Sequence, residues 1–166
     1  MSEMSAIILG AGLGIAAFID IRSRRVPNEL TFGLASCGTA LATFHVSDIG
    51  VMTALGGLAA GLLMMMPGYV IGATGAGDVK LFAAACTFLG PSRGLTAFMW
   101  TLIAGGVLAL AAAARRGLLR QVVRRAVVLV RTAGANVSEI EHGSSRNRFA
   151  YAPAIAIGTL VAVLSF

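Results

Sequence analysis

The sequence predicts an all-α integral membrane protein, and two features of its composition lead to that prediction. The residues AVILMFWYC make up 57% of the 166-residue chain and charged residues only 12%, and the mean hydropathy is +0.86. A soluble domain is about half apolar and about a quarter charged, so a water-soluble core cannot absorb this much apolar surface. The 21 glycines fit close helix packing in lipid. We expect one multi-pass domain over residues 1–166.

Six apolar segments follow one another along the chain, and we expect about six transmembrane helices. Their approximate bounds are Met4–Ile19, Leu30–Val46, Gly50–Ile71, Val79–Leu89, Leu95–Ala114 and Tyr151–Phe166. A span needs roughly 20 residues, which the third and fifth segments reach while the first, second and sixth are short. The fourth is too short unless the glycine-rich residues before it also lie within the membrane boundary. The first segment has no basic residues before it, so it predicts a transmembrane helix rather than a cleaved signal peptide.

The distribution of Lys and Arg predicts an N-terminus on the outside. With that orientation, residues 20–29, Lys80 and residues 115–150 lie inside, and only Arg93 of the 13 basic residues lies outside. The same orientation places Asp20 and Asp78 on the cytoplasmic side.

The stretch at about 115–131 predicts a cytoplasmic amphipathic helix. On a helical wheel most of its arginines share one arc and its Leu and Val residues the opposite arc. Such a helix lies on the inner leaflet, where anionic lipid attracts the arginines. The alternative is an inward extension of the fifth helix. The net charge of +6 and the pI of 10.7 would also suit nucleic acid, but the chain has no nucleic-acid-binding motif and we expect no such partner.

Two acids lie where an apolar segment meets a basic or glycine-rich turn. Asp20 begins DIRSRRVPN, and Asp78 lies in GAGDVK. Two carboxylates at one depth on different helices can share a proton and hold a water, as in the dyad of aspartic proteases. The alternative is that both acids pair with arginines or cap helices, with Asp78 at the N-cap or first position of the fourth helix. The residues alone leave both interpretations open.

The residues around these acids predict two turns. Pro27 prevents a helix from continuing through DIRSRRVPN, and Asn28 can cap the second helix. Gly75 and Gly77 permit positive φ and close backbone approach, so they can present Asp78 into a groove.

We expect no metal site and no cofactor. Cys37 and Cys86 lie inside apolar segments with no CxxC and no neighbouring histidine, which predicts buried, unreactive thiols. HExxH is absent, and neither His45 nor His142 is placed to act with the two aspartates.

Together, DIRSRRVPN and GAGDVKL resemble the signature of the prepilin peptidases, or type IV leader peptidases. In that family an aspartate precedes Ile/Val-Pro-Asn, and a GxGDxK motif carries a second aspartate. FAYAPAIAIGTL, residues 149–160, looks like the start of the family's last helix. The short chain without CxxC is similar to the peptidase-only branch that serves tight-adherence (Flp-type) pili. The lack of paired CxxC argues against the methyltransferase activity of the larger members.

The resemblance implies an aspartic endopeptidase of the bacterial inner membrane, with its active site facing the cytoplasm. Its substrate would be a prepilin, in which a basic leader precedes a hydrophobic helix. The lipid around the enzyme would be anionic. Asp20 and Asp78 would be catalytic. The supporting residues would be Pro27, Asn28, Gly75, Gly77 and Lys80. Lys80 would either take part in binding or only set the topology.

Two other functions remain open. One is a GxGD intramembrane protease of another substrate class, acting on preflagellin or resembling signal peptide peptidase. The other is a non-enzymatic membrane scaffold or proton-conducting protein that uses the two acids.

Overall fold

The computed structural model describes residues 1–115, 117 and 151–165, and every regular element in those ranges is an α-helix. The helices are α1 (Glu3–Ser23), α2 (Asn28–Thr43), α3 (Val51–Val70), α4 (Ala76–Arg115) and α5 (Ala152–Leu164). The predicted all-α fold is therefore confirmed for the described residues. By length and composition α1, α3 and α4 are able to cross a membrane, and α5 is a shorter apolar helix. The count of six spans and the outside N-terminus stay predictions.

Helix α4 combines the fourth and fifth predicted segments, which no loop separates. Its only non-helical residue is Gly90, with φ 73 and ψ 178, and Pro91 follows at once. Glycine tolerates this positive φ, and proline is accepted in the first turn of the helix that resumes. The rings of Phe82 and Phe98 are 5.8 Å apart, whereas a straight helix would separate these residues by about 24 Å. We call residues 76–89 the first limb and residues 91–115 the second limb; the two fold back on each other.

The observed helix ends differ from the predicted segments mainly at polar residues. The predicted first segment was short, but α1 extends through Asp20 to Ser23 and reaches 21 residues. It ends where Arg24 adopts the left-handed conformation with φ 52. Helix α2 begins at Asn28, directly after Pro27 and two residues before the predicted second segment. Of the stretch 115–131, Arg115 ends α4 and Gly117 lies in a turn; the rest of the predicted amphipathic helix lies outside the described residues.

The first limb of α4 is the centre of the bundle. Every residue from 81 to 90 is buried, and α2 and α3 pack against this limb, whereas Gly158 of α5 packs against Thr101 in the second limb. Small residues make the closest approaches, as where Gly61 of α3 faces Ala83 and Cys86. Large apolar side chains point outward instead, among them Phe32 at 76% exposure. An apolar exterior around a core of small residues is typical of helix packing in lipid.

Candidate active site

Asp20 and Asp78 are brought to the same end of the bundle. Asp20 lies in the last turn of α1, and Asp78 lies in the first turn of α4. Both are buried, at 4% and 9% exposure. The opposite end is marked by an ion pair of 2.8 Å between the N-terminal amine and Asp48. The structure therefore offers two buried carboxylates from different helices, as the sequence predicts.

The start of α5 holds Asp20. The backbone N–H of Ala152 donates to Oδ2 of Asp20 at 3.0 Å. The first N–H groups of a helix have no partner within it and favour negative charge nearby. Asp20 thus acts as a cap supplied by another helix, which agrees with the alternative that the acids cap helices.

Sequence reasoning missed this role of α5, although one signal pointed to it. Tyr151 occupies the N-cap position of α5 and makes no side-chain capping hydrogen bond. In the sequence Phe149 and Ala150 precede Tyr151, and neither side chain carries a hydrogen-bond acceptor. A buried helix start without a local cap needs an acceptor from elsewhere in the chain, and Asp20 is that acceptor.

Asp78 caps its own helix. Its Oδ2 accepts a hydrogen bond from the backbone N–H of Gly75 at 3.0 Å. In a capping box, the side chain at the third helical position makes this bond to the residue before the helix. The prediction that Asp78 is the N-cap or first residue is therefore wrong by two or three positions, because α4 begins at Ala76. The acid is the third residue of the helix, within its first turn, and its side chain is buried.

The two glycines before Asp78 do not bend the chain as predicted. Among described glycines, only Gly72, Gly90 and Gly117 have positive φ. The turn before α4 thus uses Gly72, and Gly75 and Gly77 need no special backbone angle. Gly77 is needed for close approach instead, because a Cβ on it would lie only 3.2 Å from Cβ of Val26.

The two motifs contact each other through their supporting residues. Gly77 packs on Val26, the residue before Pro27. Lys80 Nζ donates to Oδ1 of Asn28 at 3.0 Å across 52 positions of sequence. The prediction that Asn28 caps α2 is wrong, because α2 has no side-chain cap and the Asn28 amide is turned toward Lys80. This bond and the glycine contact join the start of α2 to the start of α4.

Tyr151 is a further polar residue at this end of the bundle. Its ring lies against Gly105 in the second limb of α4. The backbone N–H of the next residue, Ala152, is the group that reaches Asp20.

Within the described ranges, no group of three or more His, Cys, Asp or Glu side chains is placed to hold a metal ion. Cys86 is buried as predicted, whereas Cys37 is exposed on α2, so the prediction of a buried thiol is wrong there. Its apolar segment packs only one face against the bundle.

A model of the type IV leader peptidase family matches residues 7–110. The matched stretch contains Asp20 and Asp78 and stops before Tyr151. No curated protein and no solved structure matches the chain.

Proposed function

Since the chain belongs to the type IV leader peptidase family, we propose that Asp20 and Asp78 are the catalytic pair of a membrane-embedded aspartic endopeptidase. The family implies a prepilin-like substrate. The observation that supports the pair is the convergence of two buried carboxylates from α1 and α4 at one end of the bundle. Buried acids are rare and costly in membrane helices, which favours a functional role over a purely structural one.

The local contacts hold one oxygen of each carboxyl group. Oδ2 of Asp20 accepts from α5, and Oδ2 of Asp78 accepts from Gly75. These bonds fix the orientation of each carboxyl group, as catalysis by positioned acids requires. Two such groups that share one proton provide a base and an acid at the same time.

The proposed reaction needs only water and the shared proton. The ionised carboxylate takes a proton from water, whose oxygen attacks the scissile carbonyl carbon while the protonated carboxyl group donates to the carbonyl oxygen. A tetrahedral diol results. The first carboxyl group then protonates the amide nitrogen and the other takes a proton from the diol, so the C–N bond breaks. The products are an acid and an amine, and the pair again holds one proton.

We further propose that residues 1–166 form a single domain with its active site on the cytoplasmic side of the bacterial inner membrane. The basic leader of a prepilin would enter at the end that holds the two aspartates, with the hydrophobic helix of the prepilin in the lipid beside the enzyme. Exposed arginines at this end, Arg22, Arg24 and Arg25, would contact anionic lipid. By its resemblance to peptidase-only members, the enzyme would process the prepilins of tight-adherence (Flp-type) pili and would not methylate them.

Single amide substitutions test the catalytic pair. Asp20→Asn and Asp78→Asn are each expected to abolish leader removal from a co-expressed prepilin in membranes, read as the mobility shift of the pilin. Glu29→Gln is the matched control, because Glu29 is an exposed acid at the start of α2, and it should cleave at the wild-type rate. Wild-type cleavage by either aspartate variant, at equal expression, would refute the proposal.

A further inference from the structure

Helix α3 ends in a turn that passes directly into the loop before α4. The turn closes as a Schellman motif, in which the N–H of Gly72 donates to the carbonyl of Tyr69 at 3.0 Å and the N–H of Ala73 donates to the carbonyl of Gly68 at 2.8 Å. Gly72 occupies the position where this motif needs the left-handed conformation, and its φ is 70. The end of α3 therefore fixes the backbone through residue 73.

The next residue, Thr74, is held on α3 in two ways. Its N–H donates to the same carbonyl of Gly68 at 3.1 Å. Its side chain occupies the space beside Gly68, because a Cβ built there would lie 3.1 Å from Oγ1 and 3.3 Å from Cγ2 of Thr74. Within the described residues the buried Thr74 hydroxyl has no hydrogen-bond partner, so this contact depends on the shape of the side chain.

Gly75 carries this arrangement to one of the two acids. Its N–H donates to Oδ2 of Asp78 at 3.0 Å, and its carbonyl accepts from the N–H groups of Asp78 and Val79 at 3.1 and 3.2 Å. The backbone N–H groups of residues 72–75 thus all donate to α3 or to α4. The carboxyl group of Asp78 is therefore connected to the end of α3 through a loop in which every N–H is bonded.

We propose that Gly72 is a positioning residue of the peptidase, because its left-handed backbone directs the chain from α3 into the loop whose Gly75 N–H orients Asp78. The proposal rests on the proposed function, in which Asp78 is one of the two catalytic acids. A Cβ on Gly72 would have nothing within 4 Å, so a substitution there acts through the backbone angle rather than through a clash. A residue that resists positive φ would shift the Gly75 N–H and with it Oδ2 of Asp78.

Substitutions at Gly72 separate the backbone angle from the size of the side chain. Asn is larger than Ala but adopts the left-handed conformation more readily, and the β-branched Val avoids it most strongly. With purified full-length enzyme and a prepilin in detergent, kcat should therefore decrease in the order wild type, Gly72→Asn, Gly72→Ala, Gly72→Val. Gly72→Asn should stay within about threefold of the wild type, and Gly72→Ala should lose about tenfold with KM unchanged.

Gly117→Ala is the matched control for backbone strain. Gly117 follows the end of α4 with φ 68, and a Cβ on it would also have nothing within 4 Å. Its N–H donates to the carbonyl three residues earlier, that of Ala114, just as Gly72 donates to Tyr69. Within the described residues it makes no hydrogen bond to the loop before α4. Gly117→Ala should therefore lower the thermal unfolding midpoint about as much as Gly72→Ala and leave kcat at the wild-type value.

The packing of Thr74 on Gly68 provides a second, independent test. Gly68→Ala should push Thr74 by a few tenths of an ångström and lower kcat about threefold. The double variant Gly68→Ala/Thr74→Ala should be no slower than Thr74→Ala alone, because Cβ of Thr74 would lie 3.8 Å from the added methyl group. Thr74→Val should match the wild type, because the hydroxyl that it loses has no partner among the described residues.

Several results would overturn the proposal while Asp20→Asn and Asp78→Asn are inactive and the catalytic pair stands. Wild-type kcat in all three Gly72 variants would remove its role, and a faster Gly72→Ala than Gly72→Asn would show that side-chain size matters instead of the backbone angle. An equal loss of kcat in Gly117→Ala would assign the effect to general destabilisation. A higher KM with unchanged kcat would make Gly72 a substrate-binding residue. Normal cleavage by Asp78→Asn, in contrast, would refute the proposed function itself.

Discussion

The closest approach of α3 to α4 predicts that Gly57→Ala destabilises the protein. A Cβ on Gly57 would overlap the carbonyl oxygen of Cys86 and lie 2.9 Å from its carbonyl carbon and 3.0 Å from Cα of Gly90. These are backbone atoms that no rotamer change can move, so the two helices must separate. Gly56 is the matched control, because a Cβ there would make only an ordinary contact of 3.5 Å with Pro91.

The expected magnitude follows from two opposed effects. Overpacking costs about 1–3 kcal/mol, and a clash with backbone belongs at the upper end. Replacing glycine by alanine within a helix returns about 1 kcal/mol. We therefore expect Gly57→Ala to lower the free energy of unfolding by about 2 kcal/mol, and Gly56→Ala to raise it by up to about 1 kcal/mol.

Unfolding of the two variants in mixed micelles, followed by circular dichroism against denaturing detergent, measures this difference. Prepilin cleavage should fall with Gly57→Ala as well, since the first limb of α4 carries Asp78. If Gly57→Ala is as stable as Gly56→Ala, the backbone contact between α3 and α4 is wrong and the reasoning fails.

Two further predictions concern the site. In a double-mutant cycle, Lys80→Met and Asn28→Ala should show a coupling energy of about 0.5–1 kcal/mol in unfolding, because their bond of 3.0 Å is exposed; additive effects would contradict that bond. Gly77→Ala should lower kcat for prepilin cleavage roughly tenfold by displacing the loop before α2, and an unchanged kcat would show that this close approach does not matter.

Local sequence was a good guide to where helices form and a poorer guide to where they end. The apolar run 50–71 corresponds closely to α3 (Val51–Val70), because burial of a long apolar stretch decides its conformation locally. The same rule missed the last turn of α1, whose polar residues continue the helix. It also placed a loop between the limbs of α4, whereas one glycine with positive φ is enough to reverse the chain.

For the motif residues, the sequence identified the important positions better than it identified their contacts. Composition and charge spacing singled out Asp20 and Asp78, and the motif pattern singled out the residues that join α2 to α4. The detailed roles came out differently, since Asn28 bonds Lys80 rather than capping α2. A capping preference describes what a side chain does in its own segment, and a partner from another helix can outcompete it.

By itself, the sequence determined that the described chain is helical and apolar, because these properties depend on residue type and local periodicity. It also determined which two acids are unusual in such a chain. Only the tertiary structure decided what each acid meets. Asp20 is held by a helix start 132 residues further along the chain, and the ring of Tyr151 fits where Gly105 leaves space. Such contacts depend on how close two backbones come, and that distance is set by the packing of all the helices together.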